Sequence, residues 1–180
     1  MDFLTNFYLK NYKYDLINKF FYLDTKNLPQ IKHITLNFKC DKSELKHITS
    51  SLLAIELMTH QKAFLTTAKK PNIILKIRKG YPIGCKITLK KKKMIGFLIR
   101  IILKITPKLK NLKDLKLKKT LQNDMFSYEF HDAFIFSELK SNYYLFNTLP
   151  KLTINVMTTS KKKEELIYIL QLIKINYFLK

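Results

Sequence analysis

The sequence predicts an α+β fold: a mainly antiparallel sheet with helices packed on one face and a long basic loop inserted late. Three observations carry that expectation. Residues 31–38, "IKHITLNF", and residues 85–90 alternate apolar and polar side chains with a period of two, the mark of strands with one buried face. Residues 42–59 and 94–105 instead repeat apolar residues at helical spacing. Strand and helix patterns are intermixed along 180 residues, a length that suits one domain spanning 1–180.

Taken in order, residues 4–22 read as a helix with Leu4, Phe7, Leu16 and Phe20 as partial anchors, and Pro29 ends the link that follows. In strand 31–38, Ile34, Leu36 and Phe38 share one face while His33, Thr35 and Asn37 share the other. Asp41 and Glu44 form a capping-box pattern ahead of helix 42–59, whose stripe is Leu45, Ile48, Leu52 and Ile55. Residues 63–67 form a short strand, and Lys69-Lys70-Pro71-Asn72 a turn.

The stretch "LKIRKGYPIGCKITLK", residues 75–90, reads as two strands joined by a kink. Leu75 and Ile77 alternate with Lys76 and Arg78; Cys85, Ile87 and Leu89 alternate with Lys86, Thr88 and Lys90. Met94, Phe97, Leu98, Ile101 and Ile105 then stripe a helix stopped by Pro107. Residues 108–125 read as an extended Lys-rich loop, 126–136 as strand, and the run to Pro150 as irregular. Leu152, Ile154 and Val156 mark a last strand, after which Ser160 caps a helix striped by Leu166, Ile169, Leu170 and Ile173.

Charge narrows the function. Thirty-four Lys and Arg oppose 13 Asp and Glu, a net charge of +21, so a polyanionic partner is expected. The longest apolar run, Met94 to Leu103, contains Arg100 and is shorter than the ~20 residues of a spanning helix. No signal-peptide or presequence pattern is visible. Cys40 and Cys85 are too few for a disulfide framework and read as reduced thiols.

His33, Cys40, His47, His60 and Cys85 match no closed metal-ligand spacing. Acidic residues are scattered and Gly occurs only three times, too sparse for a phosphate-binding loop. No enzyme, cofactor or metal is expected. A polar, cationic sheet face carrying Thr35, Asn37, Lys76, Arg78, Lys86, Thr88 and Lys90 suits the phosphates and 2′-hydroxyls of structured RNA. Tyr81, Tyr128 and Phe130 could stack on bases, but in a chain with 23 Phe and Tyr they read first as packing residues.

Of the basic residues only Arg78 and Arg100 are arginine, and Ile, Asn, Phe, Tyr and Lys abound. These are the residues of AT-rich codons, which points to a small organelle genome or an AT-rich bacterium.

"GYPIGCKITL", residues 80–89, resembles the signature segment of the bacterial-type large-subunit ribosomal protein five family. "LPQIKHITLNF", "LLAIELMTHQKAFLTTAKK", "KMIGFLIRIILKITPKLKNL" and "LTINVMTTSKKKEEL" resemble further family segments in the same order. The resemblance implies a structural protein of the central protuberance, with Asn37, Gln61 and Thr88 on 5S rRNA and Lys86, Lys90 and Thr35 nearby. It implies that Lys70, Lys76, Arg78 and Lys79, on the loop Lys69 to Lys79, approach peptidyl-site tRNA. Residues 108–147 would reach small-subunit head protein thirteen. Large-subunit rRNA and neighbouring central-protuberance proteins complete the implied partners; no membrane is among them.

Three departures from the family pattern stand out: Ile73-Ile74 for an Ala-Gly pair, His60 for a turn glycine, and no glycine in the inserted loop. With the codon bias they point to an organelle-encoded protein of a mitochondrial ribosome, the alternatives being plastid or bacterial cytoplasm. Two other functions remain open: the same fold on large-subunit rRNA alone, and a basic peripheral-membrane or assembly factor. The latter would gather its cations on an amphipathic helix, whereas here they fall on strand and loop positions.

Overall fold

The structure, a computed structural model, describes residues 13–40, 45–74, 77–105, 107, 116–117 and 124–172. Residues 13–19 form helix α1. Then come β1 (Ile31–Lys39), α2 (Leu45–Thr59), β2 (Phe64–Thr67), β3 (Pro82–Leu89) and α3 (Lys91–Arg100), which continues as a π-helical turn over Ile101–Ile105. β4 (Lys116–Leu117), β5 (Met125–Phe130), the short helices α4 (Ser137–Lys140) and α5 (Tyr143–Phe146), β6 (Leu152–Thr158) and α6 (Lys163–Leu172) complete the order.

The six strands form one sheet in the order β2-β3-β1-β6-β5-β4. Hydrogen bonds at the strand ends give its sense. Cys40, just past β1, donates to the carbonyl of Ile83 near the start of β3, at 2.9 Å. Thr159, just past β6, donates to Gln30 ahead of β1 at 2.9 Å, and Thr158 donates to Asp124 ahead of β5 at 2.7 Å. In each pair the end of one strand meets the start of its neighbour, so the pairs are antiparallel. β2 and β3 are antiparallel as well.

Packing divides the chain into two compact units: Met1–Ile34, Leu89–Tyr128 and Asn155–Lys180 make the first, Thr35–Thr88 and Glu129–Ile154 the second. In the first, the expected stripe of α3 is wholly buried: Met94, Phe97, Leu98, Ile101 and Ile105. Leu166, Ile169 and Leu170 of α6 are buried too, and Leu16, Leu28 and Ile169 form a cluster joined by Phe20, Tyr22 and Tyr168. The Lys19 ammonium lies 4.0 Å from the centre of the Tyr168 ring, a cation–π contact that holds α1 beside α6. In the second unit, α2 buries Ile48, Ser51, Ala54, Ile55 and Met58. Ser51 Oγ lies 3.4 Å from Cys85 Sγ, which fixes α2 over the inner face of β3.

Several elements differ from the sequence reading. Leu45 is exposed, and Ser51, Ala54 and Met58 take the inward positions of α2 instead. Residues 77–80 are not strand: Asn72 and Ile77 exchange two backbone hydrogen bonds of 2.9 Å, and Gly80 turns the chain at φ 85°. Pairing is thereby used up within a tight loop. The expected strand 126–136 stops at Phe130, because the Asp132 carboxylate accepts from the Phe134 N–H at 2.8 Å and starts a 3-10 turn. Part of the irregular run to Pro150 is helical, as α5. Ser160 does not cap α6: its hydroxyl pairs with Thr158 Oγ1 at 2.7 Å, and the helix begins at Lys163. Glu165 serves the helix start, accepting from the Lys161 N–H at 3.3 Å. The Asp41–Glu44 capping box, Leu4, Phe7, Ile173 and most of the loop 108–125 lie outside the described residues.

His60 ends α2 in the left-handed region, φ 51°, with its N–H donating to the Glu56 carbonyl at 2.8 Å. A β-carbon is disfavoured there, and glycine is the usual solution. His60→Gly should therefore stabilise the chain by about 0.5–1 kcal/mol, part of the gain being lost to the freer unfolded state. The check is a urea midpoint that rises with an unchanged slope.

Candidate nucleic-acid interface

The site begins with alternation. In β1, Ile34, Leu36 and Phe38 are fully buried, whereas Thr35 and Asn37 are half-buried on the opposite face. In β3, Cys85, Ile87 and Leu89 are buried, Lys86 is exposed and Thr88 half-buried. β1 and β3 are neighbours, so Thr35, Asn37, Lys86 and Thr88 share one outward surface. Four of the expected rRNA-binding residues thus come together as hydroxyls, an amide and a cation on a rigid sheet. Lys90 follows β3 and is exposed where α3 begins.

Gly84 lets β1 and β3 come this close. A β-carbon at Gly84 would collide with the Phe38 carbonyl oxygen, which no side-chain rotation relieves. β2 pairs on the other side of β3, with Phe64 opposite Lys86, Leu65 opposite Cys85 and Thr66 opposite Gly84.

Gln61 sits in the turn between α2 and β2. Glu56 shapes this turn twice: its carbonyl accepts from His60, and its carboxylate accepts from the Ala63 N–H at 3.0 Å. The Gln61 Oε1 is buried without a hydrogen-bond partner, an acceptor left for a donor outside the chain.

The loop after β2 is a separate feature. Ala68 closes its base, donating to the Tyr81 carbonyl at 2.8 Å and accepting from the Gly80 N–H at 2.9 Å. The Asn72 side chain accepts from the Ile74 N–H at 3.0 Å, setting the tip. Ile73 and Ile74 project there, 92 % and 91 % exposed. Lys70, Arg78 and Lys79 are exposed on this loop, while Lys76 lies outside the described residues. Arg78 therefore belongs to the loop and not to the sheet surface on which its alternation had set it.

Of the three aromatics weighed for stacking, Tyr128 and Phe130 are buried and pack inside; Tyr81 is partly exposed. Burial pushes the Tyr128 hydroxyl well above the ordinary phenol range. Phe64 was not singled out by the sequence, because a four-residue strand is too short to fix its own phase.

The thiols are structural. Cys40 and Cys85 are buried on either side of Ser51 Oγ, at 3.7 and 3.4 Å, and neither forms a disulfide. The Cys85 thiol donates to the Ile48 carbonyl at 3.5 Å, and burial pushes it above the usual thiol range. A protonated, enclosed thiol is a poor nucleophile. Among the described residues, no three His, Cys, Asp or Glu side chains gather as a metal site.

A cationic sheet surface with hydrogen-bonding groups and no reactive cluster among the described residues defines a class, the non-catalytic binding proteins of structured nucleic acid. Residues 82–177 match the C-terminus of the ribosomal uL5 family. The chain is 35% identical over 167 residues to the large ribosomal subunit protein uL5m of Reclinomonas americana, with 92% of each chain covered. It is 34% identical over 167 residues to uL5 of Wigglesworthia glossinidia brevipalpis, covering 90% of this chain and 91% of that one. To uL5 of Neisseria meningitidis it is 31% identical over 179 residues, 97% of each. The chain belongs to the ribosomal uL5 family. It is a structural ribosomal protein, not an enzyme.

Gly84→Ala tests the close approach on which the site rests. Forcing the two backbones apart should cost roughly 2 kcal/mol or more, at the upper end of overpacking because the obstacle is main chain. Thermal unfolding should report the loss, and Gly96→Ala, where a β-carbon meets nothing within 4 Å, is the control.

Proposed function

We propose that this chain is a constituent of the large subunit of a mitochondrial ribosome, where its outward sheet surface holds 5S rRNA and adjoining large-subunit rRNA in the central protuberance. The observation that carries this reading is the joint exposure of Thr35, Asn37, Lys86 and Thr88 on two neighbouring strands whose alternate residues are buried. Lys86 and Lys90 meet phosphates; Thr88, Thr35, Asn37 and the unsatisfied Gln61 Oε1 supply hydrogen bonds to phosphate, ribose or base edges. The mitochondrial assignment rests on the Reclinomonas relative, a uL5m, together with the Lys-, Ile- and Asn-rich composition.

The loop from Lys69 to Lys79 contacts peptidyl-site tRNA in this reading, with Lys70, Lys76, Arg78 and Lys79 as its cations. Residues 108–147 bridge to small-subunit head protein thirteen, and neighbouring central-protuberance proteins complete the surroundings. Charge supports a protein partner for the second part of that segment. From Asp124 to Thr148 the sequence holds four carboxylates, Asp124, Glu129, Asp132 and Glu138, against the single cation Lys140. A stretch that reverses the sign of an otherwise basic chain is unsuited to phosphate and suited to a basic protein. The 180 residues act as one ribosomal-protein domain.

The test uses the full chain and a 5S rRNA transcript from the same genome. Wild-type affinity should fall steeply with salt, by about −0.9 in log–log slope per phosphate neutralised. Thr88→Val with Asn37→Ala should weaken binding by about 1 kcal/mol for each lost hydrogen bond while the unfolding midpoint stays put. Salt-insensitive binding would count against a phosphate-reading surface. Retained affinity for a large-subunit rRNA fragment without 5S binding would reduce the proposal to the large-subunit RNA alone.

A further inference from the structure

Phe64 opens β2 and is 72 % exposed. A single exposed apolar side chain is ordinary on any protein surface. The surroundings of this one are not. Phe64 stands directly opposite Lys86 in the β2/β3 ladder, and direct partners in an antiparallel pair point to the same face, with β-carbons about 5 Å apart. Because Lys86 alternates with buried Cys85 and Ile87, that face is the outward one.

The other residues of this face around Phe64 are not apolar. Thr66 follows at the next same-side position of β2, opposite Gly84, which has no side chain; Thr88 is the next same-side residue of β3. Leu65 faces the opposite way, paired with Cys85. The ring is therefore an isolated aromatic surface in a field of hydroxyls and a cation, beside a glycine that leaves open space above the strand. A protein-binding patch would need contiguous apolar neighbours, and none of the adjoining β2 and β3 positions on this face supplies one. A nucleotide needs what is present: a flat ring for its base and a cation for its phosphate.

We propose that Phe64 is a stacking platform for an unpaired nucleobase, with Lys86 neutralising a phosphate of the same strand. This rests on the RNA reading of the sheet surface and adds to it a single-stranded feature of the ligand. The site would then distinguish RNA with an extruded or looped base from a continuous duplex, because paired bases offer no free face.

The test compares Phe64→Leu, which keeps exposed apolar bulk but removes the ring, with Phe64→Tyr, which keeps the ring. Three probes are titrated against the full chain: the 5S rRNA transcript, a single-stranded oligouridylate and a fully paired RNA duplex. Phe64→Leu should lose about tenfold in affinity for the first two probes, within the roughly 5- to 150-fold range of a lost stacking ring. It should bind the duplex as wild type does, and Phe64→Tyr should match wild type on all three. Equal unfolding midpoints exclude a folding defect. The proposal is overturned if Phe64→Leu binds 5S rRNA and oligouridylate within twofold of wild type, or if it loses affinity for all three probes alike. Unchanged RNA binding with impaired entry into the large subunit would likewise overturn it, assigning Phe64 to a protein contact. A wild-type chain with no preference for 5S rRNA, yet a tenfold loss on oligouridylate in Phe64→Leu, would reject the 5S assignment and leave the platform standing.

Discussion

The approach of the Gly84 backbone to the Phe38 carbonyl sets how β1 and β3 meet, and the interface depends on that pairing. Side chains alternate across a strand, so a slip of one residue would turn Ile34, Leu36 and Phe38 to solvent and Thr35 and Asn37 into the core. Burial on one face makes such a slip prohibitive. The same constraint that packs Cys85, Ile87 and Leu89 under α2 therefore holds Lys86 and Thr88 outward in fixed positions. A sheet holds polar groups in place at little further entropic cost, because the backbone is already ordered by the core beneath it.

The two parts of the candidate site differ in how they are held. The sheet surface is fixed from below by packing, whereas the loop Lys69–Lys79 is fixed at its base by Ala68 and across its middle by the Asn72–Ile77 pair. Its tip then carries two bare isoleucines among cations. Lysine supplies nearly all of the charge. As a compact point charge on a flexible stem it matches a phosphate without the two-pronged geometry of arginine. Position on the backbone must therefore supply the geometric precision, which makes Gly84, Gly80 and the Glu56-braced turn matter as much as the cations.

How much of this was legible in the sequence depended on the length of each pattern. β1 and α3 span enough residues for their period to be unambiguous, and their buried sets are the expected ones. Leu75 and Ile77 alternate with cations just as a strand does, but the Asn72–Ile77 hydrogen bonds join two positions of one short segment and close a loop. Alternation cannot tell those two pairings apart. Asp132 and Ser160 show the same limit: each side chain had several backbone or hydroxyl partners within reach, and the choice among them is tertiary. The sheet half of the site was readable because outward and inward residues alternate in long strands. Phe64 was not, because its face is decided by its partner Lys86 on another strand.

Charge and core oppose each other in this chain. A net charge of +21 repels itself in the compact state. The interior offsets that repulsion with bulk: Phe38, Phe126, Phe136 and Phe146 are all enclosed, with aliphatic residues packed around them. At about 25 cal/mol per Å² of apolar area removed from water, enclosed aromatic rings are among the most effective single contributors available. The few polar groups admitted inside follow the same economy, since Ser51 satisfies itself on Ile48 and meets both thiols. An aromatic-rich core thus lets the surface carry more cations than the free fold would favour. RNA phosphates, by neutralising those cations, would turn the surface charge from a destabilising element into the source of affinity.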